Sequence, residues 1–243
     1  MPAFVSYPHA PETAQPLPLS AELLWTVAAQ MRATVARQPS PWALDPKALV
    51  LAASHLDVNG RVITATWDLD SPIRDEAGRE VLGICETDPQ LPGVALVSVN
   101  GAMVACRPEL ALSTIAHEIG HIVFDVPSTV DQPARRYRAV TSGPDCLSKT
   151  QARSERRANE FMGALLVPSH ALHLRLVQCA RADGVRMVHA PHRGRPGLRV
   201  LAADTDPEAL AGLTAVLAAD FGVSDRFIAV RLRRYRLIAG DVR

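Results

Sequence analysis

The most constraining feature of the sequence is an apolar segment, Pro108 to Phe124, whose second half contains two histidines and a glutamate. Proline suits the first position of a helix, because the amide that it lacks would have no partner there. The polar residues are surrounded by Leu112, Ile115, Ala116, Ile119, Ile122 and Val123. A helix this apolar is typical of a protein core, where two imidazoles and a carboxylate are costly to bury without a compensating partner.

Three polar residues in the second half of this helix, His117, Glu118 and His121, have the spacing of a metal site. Residues four apart lie on one helix face, with about 5–6 Å between their Cβ atoms. Two imidazoles can therefore bind one ion, each at about 2.0–2.1 Å for zinc. Glu118 lies beside the pair and is placed to accept a proton from a metal-activated water rather than to bind the ion. The alternative, a surface helix with two solvated histidines, is disfavoured by the apolar neighbours.

A catalytic zinc ion usually takes three protein ligands and leaves one position for water. A second predicted helix, Gln151 to Val167, offers Glu155 as the third ligand. By helical spacing, the face of Glu155 also carries Ala158, Asn159, Met162 and Leu166. Glu160 lies on another face and is interpreted as a solvated partner of Arg156 or Arg157. Helical spacing therefore favours Glu155 over Glu160.

Composition excludes several classes of protein. The chain has 243 residues with a net charge of +1, which argues against binding nucleic acid or membranes through the whole surface. At about 150 residues per domain, one compact domain is expected, or one with a small appendage. No signal peptide is recognised, and the apolar stretch Gly93 to Cys106 is shorter than the about 20 residues that span a bilayer. Four scattered cysteines are typical of reduced thiols in a cytoplasmic protein: Cys85, Cys106, Cys146 and Cys179.

Capping residues and residue periodicity predict the other elements. Ser20 caps a helix that ends near Arg37. Its apolar face is predicted to contain Leu23, Val27, Met31 and Val35. Asp45 begins a second helix that ends near Leu56. Strands are predicted over residues 62–67, 80–85 and 94–99, and two further helices over 207–220 and 224–235.

The two motifs together resemble the ImmA/IrrE metallopeptidase family. The resemblance is carried by His117-Glu118-Ile119-Gly120-His121 and by Glu-Arg-Arg-Ala-Asn-Glu-Phe-Met-Gly-Ala-Leu-Leu-Val-Pro, residues 155–168, and it covers about residues 45–170. It implies an α+β fold with a zincin-like core, in which a small mixed or antiparallel sheet packs on the two ligand-bearing helices. It also implies that His117, His121 and Glu155 bind zinc, with manganese as the alternative, and that Glu118 is the general base of a gluzincin-like metallo-endopeptidase.

The same resemblance implies a cytoplasmic enzyme with a protein substrate and no membrane partner. The best-known members of the family cleave helix-turn-helix repressors of the Xre type, which switches on mobile-element or stress-response genes. The sequence departs from the family pattern at Met162-Gly163 and in a longer connection between His121 and Glu155. Residues 173–205 are interpreted as an insertion.

Four parts of the chain are predicted from these observations. The five prolines of residues 1–19 indicate a flexible arm, and residues 20–180 form the metallopeptidase domain. Residues 181–205, rich in Gly, Pro and Arg, are predicted to be a loop or linker. Residues 206–243 form a helix-turn-helix-like C-terminal segment, in which Gly222 marks the turn and Ser224 caps the second helix.

The expected reaction is hydrolysis of a peptide bond, in which Glu118 takes a proton from water and passes it to the leaving amine. The substrate is predicted to lie as an added strand against Val94–Val99. By residue type alone, the group that stabilises the oxyanion is one of four: Tyr137, Arg138, His170 or His173.

The C-terminal segment allows a second function. Residues 225–243 have a net charge of +4, and DNA contact is one interpretation. In the other, the helix pair packs on the peptidase and exposes its arginines to water, and the resemblance favours this one. The alternative to a peptidase is thus a DNA-binding regulator with a structural or sensory metal site. Glu118 discriminates between the two, because a structural site has no use for a glutamate beside its ligands.

Overall fold

The structure is a computed structural model that describes residues 3–35, 42–75, 78–130, 138–140, 148–192 and 195–240. The chain forms two units, Met1–Leu166 and Val167–Arg243, each with its own core. The described residues combine helices with a small mixed sheet, which confirms the α+β class. The boundaries of the four predicted parts stay a prediction.

The first unit contains a six-stranded mixed sheet with the order β1-β2-β3-β5-β4-β6. Its strands are β1 (Ala3–Val5), β2 (His55–Val58), β3 (Arg61–Asp68), β4 (Gly83–Thr87), β5 (Val94–Val99) and β6 (Arg138–Val140). The pairs β1–β2 and β3–β5 are parallel, and the other three are antiparallel. Asn59 and Gly60, with φ of 55° and 80°, join β2 to β3 in a two-residue turn that such residues favour.

The helices of the first unit pack on this sheet and on one another. They are α1 (Ala21–Val35), α2 (Pro46–Ala53), the short α3 (Gly101–Val104), α4 (Pro108–Phe124) and α5 (Lys149–Leu166), with a 3-10 turn at Val126–Thr129. The predicted caps are present, since Ser20 Oγ accepts from the amide of Leu23 and Asp45 Oδ2 from that of Ala48. The long helix α4 contacts β4, β5 and α5, and α5 also contacts α1. The polar residues of α4 are therefore enclosed by sheet and helices.

The second unit contains α6 (Ser169–Ala182), a hairpin of β7 (Met187–His192) and β8 (Arg195–Leu201), α7 (Pro207–Phe221) and α8 (Asp225–Arg234). Gly222, with φ of 67°, ends α7, and Ser224 Oγ accepts from the amide of Phe227 to cap α8. Both predicted C-terminal helices are thus confirmed, whereas their function as a helix-turn-helix stays a prediction. No described helix has both the length and the apolarity needed to cross a membrane.

The predicted loose arm is wrong for its described residues. Ala3–Val5 forms β1 in parallel register with β2, and Tyr7 is buried. The Tyr7 hydroxyl donates to the Val123 carbonyl in the last turn of α4, at 2.7 Å. The prolines lie on either side of residues 3–7, so the backbone amides needed for strand pairing are present.

Two further parts of the chain differ from the predicted secondary structure. The predicted linker contains the β7–β8 hairpin, whose Pro191 lies at an irregularity of the pairing, where a missing amide is tolerated. The second helix ends at Ala53 instead of near Leu56, because the following residues pair with β1 and β3 as β2. Such pairing is non-local and leaves little local signal in the sequence.

Four smaller predictions are corrected or confirmed. The strand predicted over 80–85 is β4, at Gly83–Thr87, and that predicted over 94–99 is confirmed as β5. Leu23 is exposed, and Leu24 takes its place in the buried face of α1. Among the described cysteines, Cys85 and Cys179 are buried thiols and Cys106 is exposed, whereas Cys146 lies outside the described residues.

Candidate metal centre

The two histidines of α4 lie one helical turn apart and face each other. His117 is 7% exposed and His121 is fully buried. Their Nε2 atoms are 3.1 Å apart. Two ring nitrogens at this distance in a buried site need a shared proton or a shared cation, because their lone pairs otherwise repel.

Glu155 of α5 completes the cluster. Its Oε2 lies 3.3 Å from His117 Nε2, and its Oε1 lies 3.5 Å from His121 Nε2. The carboxylate is 15% exposed, so the cluster has one side towards solvent. Spacing predicted that Glu155 points into the protein, and the structure brings it to the two imidazoles.

The close approach of α4 and α5 depends on Gly120, the fourth residue of the motif. A Cβ atom at this position would lie 2.8 Å from Ala158 Cα and 3.1 Å from Ala158 Cβ. Because the contact is with backbone, a larger residue could be accommodated only by moving a helix. Gly120 thus sets the distance at which α5 presents Glu155 to the histidines.

The geometry fits a divalent cation. The three ligand atoms lie within 4.8 Å of one another. Atoms that bind one zinc ion at tetrahedral corners, at about 2.0–2.2 Å, lie roughly 3.3–3.5 Å apart. The two Nε2 atoms are 3.1 Å apart, close to this spacing, and each has a different oxygen of Glu155 nearby, Oε2 at 3.3 Å from His117 and Oε1 at 3.5 Å from His121. Two imidazoles and a carboxylate are also a ligand set that zinc accepts.

Glu118 lies beside the cluster and is 1% exposed. Its Oε2 has no hydrogen-bond partner among the described residues. Burial raises its pKa, and the charge of Glu155 raises it further, although His117 and His121 act in the opposite direction. The other oxygen lies against β4, because a Cβ on Gly83 would be 2.3 Å from Glu118 Oε1. This carboxylate has the environment of a group that exchanges protons.

The ionisation of the cluster is coupled. Burial disfavours the charged form of His121, yet hydrogen bonds with Asp125 and Glu155 raise its pKa to about 10. Burial likewise opposes the charge of Glu155, yet hydrogen bonds with His117 and His121 lower its pKa to about 2. Without a metal, a proton on the imidazoles therefore compensates the negative charge of the Glu155 carboxylate. A cation that binds there replaces that proton.

One residue of the site was missed in the sequence. Asp125, four residues after His121, is 5% exposed, and its Oδ2 lies 2.9 Å from His121 Nδ1. The signal was available, since residues four apart share a helix face, but Asp125 was assigned to the connection beyond α4. The structure places it at the end of the helix, where its backbone amide still donates to the His121 carbonyl at 2.9 Å.

A cavity of about 150 Å³ opens beside His117 and Glu118. It is lined mainly by apolar groups, and its other lining residues are Leu82, Leu110, Ser113, Thr114, Asn159 and Met162. Asn159 and Met162 lie on the face of α5 that spacing assigned to Glu155. The cavity therefore lies next to the atoms that would do the chemistry.

The interpretation of Glu160 as a solvated partner of arginine is wrong. Glu160 is 8% exposed, and its Oε1 accepts a hydrogen bond of 2.6 Å from Trp25 Nε1 of α1. Arg157 instead pairs with Asp125, at 2.6 Å. Helical periodicity gives the face of a residue but does not show that α1 covers this face.

The four candidates for the oxyanion-stabilising group are not placed in the site. Tyr137 and the side chain of Arg138 lie outside the described residues. His170 and His173 belong to the second unit, and His173 Nε2 lies 2.8 Å from the Arg199 carbonyl. The substrate cannot add to β5 as predicted, because β3 and β4 pair with both of its edges.

Comparison with known families places this cluster in a known domain. Residues 107–183 match the family model of peptidase M78, the IrrE N-terminal-like domain. The resemblance seen in the sequence is confirmed over this segment, which contains His117, Glu118, His121 and Glu155. A search among curated proteins finds no match.

The extent of the M78 domain corrects one interpretation. The match continues to residue 183, so residues 173–183 belong to the family pattern and not to an insertion. They form the last ten residues of α6 and its C-cap residue, Asp183. The strands β1 to β5 precede the matched segment, so the family match does not cover them. The M78 match and the His117, His121 and Glu155 cluster together indicate a metallopeptidase with a metal ion.

Proposed function

We propose that the chain is a zinc-dependent endopeptidase in which His117, His121 and Glu155 hold the ion and Glu118 is the general base. Manganese is the alternative metal. The observation that carries the proposal is the convergence of three ligand atoms within 4.8 Å beside a buried carboxylate without a hydrogen-bond partner among the described residues. A metal site that only stabilised the fold would not need this carboxylate.

The proposed reaction assigns a task to each group. When bound, the ion lowers the pKa of water and polarises a peptide carbonyl. Glu118 accepts the proton of the attacking water and then donates it to the leaving amine. Its raised pKa suits both steps, because a carboxylate that binds a proton more readily exchanges it more readily near neutral pH. The wall formed by Gly83 limits the positions that the Glu118 carboxylate can occupy.

The proposed substrate is a protein, and specifically a helix-turn-helix repressor of the Xre type. The resemblance to the ImmA/IrrE family supports this choice. The cavity beside Glu118 would receive one side chain next to the cleaved bond, and its lining by Leu82, Leu110 and Met162 favours an apolar one.

A second candidate, a DNA-binding regulator, is supported by one surface. Four arginines of the C-terminal end are exposed: Arg226, Arg233, Arg234 and Arg236. Phosphate contacts from arginines give affinity for DNA of any sequence and a strong dependence on salt. Under this candidate, replacing Arg226, Arg233 and Arg234 by alanine abolishes DNA retention, whereas under the peptidase it leaves cleavage unchanged.

The proposal is tested with Glu118→Gln, which keeps the size of the side chain and removes the proton acceptor. The zinc-loaded variant is expected to bind zinc as the parent does and to cleave about 10²–10⁴-fold more slowly. Glu109→Gln makes the same substitution in the first turn of the same helix and is expected to leave both properties unchanged. The substrate is an Xre-type repressor whose gene lies next to the gene of this protein. The cleavage fragments are identified by gel electrophoresis and mass spectrometry. Cleavage by Glu118→Gln at the parental rate would falsify the mechanism.

A further inference from the structure

The end of α4 carries a buried carboxylate that the proposed reaction does not use. Asp125 follows the last residue of α4 and lies one turn beyond His121. The contacts of its two oxygens include three side chains: His121 from α4, and Ser154 and Arg157 from α5. A carboxylate is strongly solvated in water, so its burial has to be compensated by contacts of this kind. All three contacts come from the two helices that carry the candidate metal ligands.

The contact with His121 fixes which ring nitrogen is available to a metal. Asp125 Oδ2 lies 2.9 Å from His121 Nδ1, on the opposite side of the ring from the cluster. A carboxylate accepts hydrogen bonds, so the Nδ1 atom carries the proton. The Nε2 atom, which lies 3.1 Å from His117 Nε2, then keeps its lone pair in the metal-binding form of the ring. Without the carboxylate, the ring is free to exchange its two tautomers.

The contacts with α5 connect the same carboxylate to the third ligand. Ser154 Oγ donates to Asp125 Oδ2 at 2.6 Å, and it also lies 3.4 Å from His121 Nδ1. Arg157 Nη2 donates to Asp125 Oδ1 at 2.6 Å. Ser154 immediately precedes Glu155, and Arg157 follows it by two residues. Asp125 thus holds α5 on both sides of Glu155.

Arg157 also offsets part of the charge of Asp125, since its Nη2 lies 2.6 Å from Asp125 Oδ1. This matters because Asp125 stabilises the imidazolium form of His121, whereas a metal can bind His121 only through a neutral ring.

We propose that Asp125 is a positioning residue of the metal centre, which orients His121 through Nδ1 and, through Ser154 and Arg157, fixes Glu155 of α5 relative to the histidines of α4. The proposal rests on the proposed metal centre and goes beyond it, because it assigns a function to three residues that do not bind the ion. Asp125 acts through His121 and Glu155 and touches neither the ion nor the substrate. Carboxylates that orient a metal-binding histidine commonly change metal affinity about 10–100-fold.

The test is the zinc affinity of Asp125→Asn, measured by competition with a chelator starting from metal-free protein. Asparagine keeps the size of the side chain, but it removes the charge and one of the two acceptors. We expect the variant to bind zinc about 10–100-fold more weakly while its circular dichroism spectrum is unchanged. The matched control is Asp220→Asn, which breaks an ion pair of 2.7 Å with Arg175 in the second unit and should leave zinc affinity as it is.

The outcomes separate this inference from the proposed function. If the wild-type chain binds no zinc, the proposed function itself is wrong. If the wild type binds zinc and Asp125→Asn binds it equally well, the metal centre stands and the positioning function of Asp125 is overturned. A structural ion pair alone would lower the stability of the metal-free protein without this loss of affinity.

If Asp125→Asn does not fold, a second measurement tests the positioning function of Asp125. Nitrogen NMR of the zinc-loaded wild type reports the protonation of the His121 ring directly. A proton on Nδ1 with Nε2 bound to zinc supports the proposal, and the opposite arrangement overturns it. Ser154→Ala, which removes one donor and leaves no charge unpaired, is expected to reduce zinc affinity several-fold in the same competition assay.

Discussion

Two helix pairs of this chain carry clustered charges, and they differ in where those charges lie. In α4 and α5, three charged or polar groups meet between the helices: His117 and His121 are buried there and Glu155 is half-buried, whereas Arg153 and Arg156 of α5 are exposed. In α7 and α8, the charged residues of α8 are mostly exposed, and the buried faces are apolar. The exception is Arg231, which is 7% exposed and lies over the rings of Phe227 and Tyr235.

The difference shows what distinguishes a reactive site from a stable pair of helices. Both pairs bury an apolar face, so both are stable elements by the same physics, and α7 and α8 are in addition capped by the side chains of Asp206 and Ser224. The first pair buries a carboxylate oxygen, Glu118 Oε2, that has no hydrogen-bond partner among the described residues and lies beside a cluster of possible metal ligands. Burying such a group costs free energy, and a chain gains nothing from it unless a ligand or a reaction uses it.

The largest effect is expected from a substitution that forces α4 and α5 further apart. Gly120→Ala places a methyl group where Ala158 Cα would be 2.8 Å away, so α5 must move and carry Glu155 with it. We expect a loss of about 1–3 kcal/mol in the free energy of unfolding, as for other overpacked contacts. Zinc binding should be lost in the same variant. Urea denaturation and chelator competition measure the two effects.

The matched substitution in the other helix pair has the opposite expectation. Gly212→Ala lies within α7, where nothing is within 4 Å of the added Cβ. An alanine in a helix interior is favoured over glycine by about 0.5–1 kcal/mol, so this variant should be slightly more stable. Normal zinc affinity in Gly120→Ala would show that the close approach of α4 and α5 is not what brings the ligands together.

The buried site should also make the stability of the metal-free protein depend on pH. The pKa of His121 is raised to about 10, so the stabilisation from its proton is complete below pH 6.5 and is lost as the pH rises through about 10. The pKa of Glu155 is lowered to about 2, so its contribution is present above pH 4.5 and is lost as the pH falls towards 2. The free energy of unfolding is therefore expected to fall on both sides of neutrality.

Urea denaturation of chelator-treated protein over this pH range checks the expectation. His121→Gln should remove the decline between neutral pH and pH 10, and His170→Gln, an exposed histidine of α6, should keep it. An unchanged alkaline decline in His121→Gln assigns the effect to another group. Because binding of a cation displaces the proton, zinc affinity should rise with pH over the same alkaline range.

The sequence predicted the groups that lie within one helix and missed those that join elements. The convergence of His117 and His121 follows from a four-residue spacing, and the direction of Glu155 follows from the apolar face around it. Asp125 lies at the same spacing from His121, but its function appears only when Ser154 and Arg157 are brought next to it. Such contacts between helices have no periodicity within either one.

The same reason explains the errors in the fold. Strand β2 depends on pairing with β1, whose residues lie about fifty positions earlier in the chain. The burial of Glu160 depends on α1, which supplies Trp25 from a segment 135 residues earlier in the chain. By contrast, α4 was predicted from Pro108 to Phe124 with its observed bounds, because its proline start and apolar composition are local signals. Local signals predict elements, and non-local contacts decide which of their faces are covered.

The smallest effect is expected from replacing two tyrosines, one in each unit, whose hydroxyls each donate a hydrogen bond to a backbone carbonyl. Tyr7 OH donates to the Val123 carbonyl at 2.7 Å, and Tyr235 OH donates to the Val167 carbonyl at 2.9 Å. The last carbonyls of a helix have no partner within it, so Tyr7 satisfies an acceptor at the end of α4. Burial raises the pKa of the Tyr7 hydroxyl above its usual value, so the hydroxyl remains a donor at neutral pH. Tyr7→Phe and Tyr235→Phe should each reduce the free energy of unfolding by about 1 kcal/mol.

The two variants should differ in the metal centre. Val123 lies between His121 and Asp125, so loosening the last turn of α4 disturbs the position of the His121 ring. We expect Tyr7→Phe to weaken zinc binding a few-fold and Tyr235→Phe to leave it unchanged, as measured by chelator competition on metal-free protein. Equal zinc affinities in two variants of equal stability would mean that the N-terminal segment only stabilises the first unit. A difference would mean that residues outside the M78 match, which the sequence alone assigned to a loose arm, help to form the metal site.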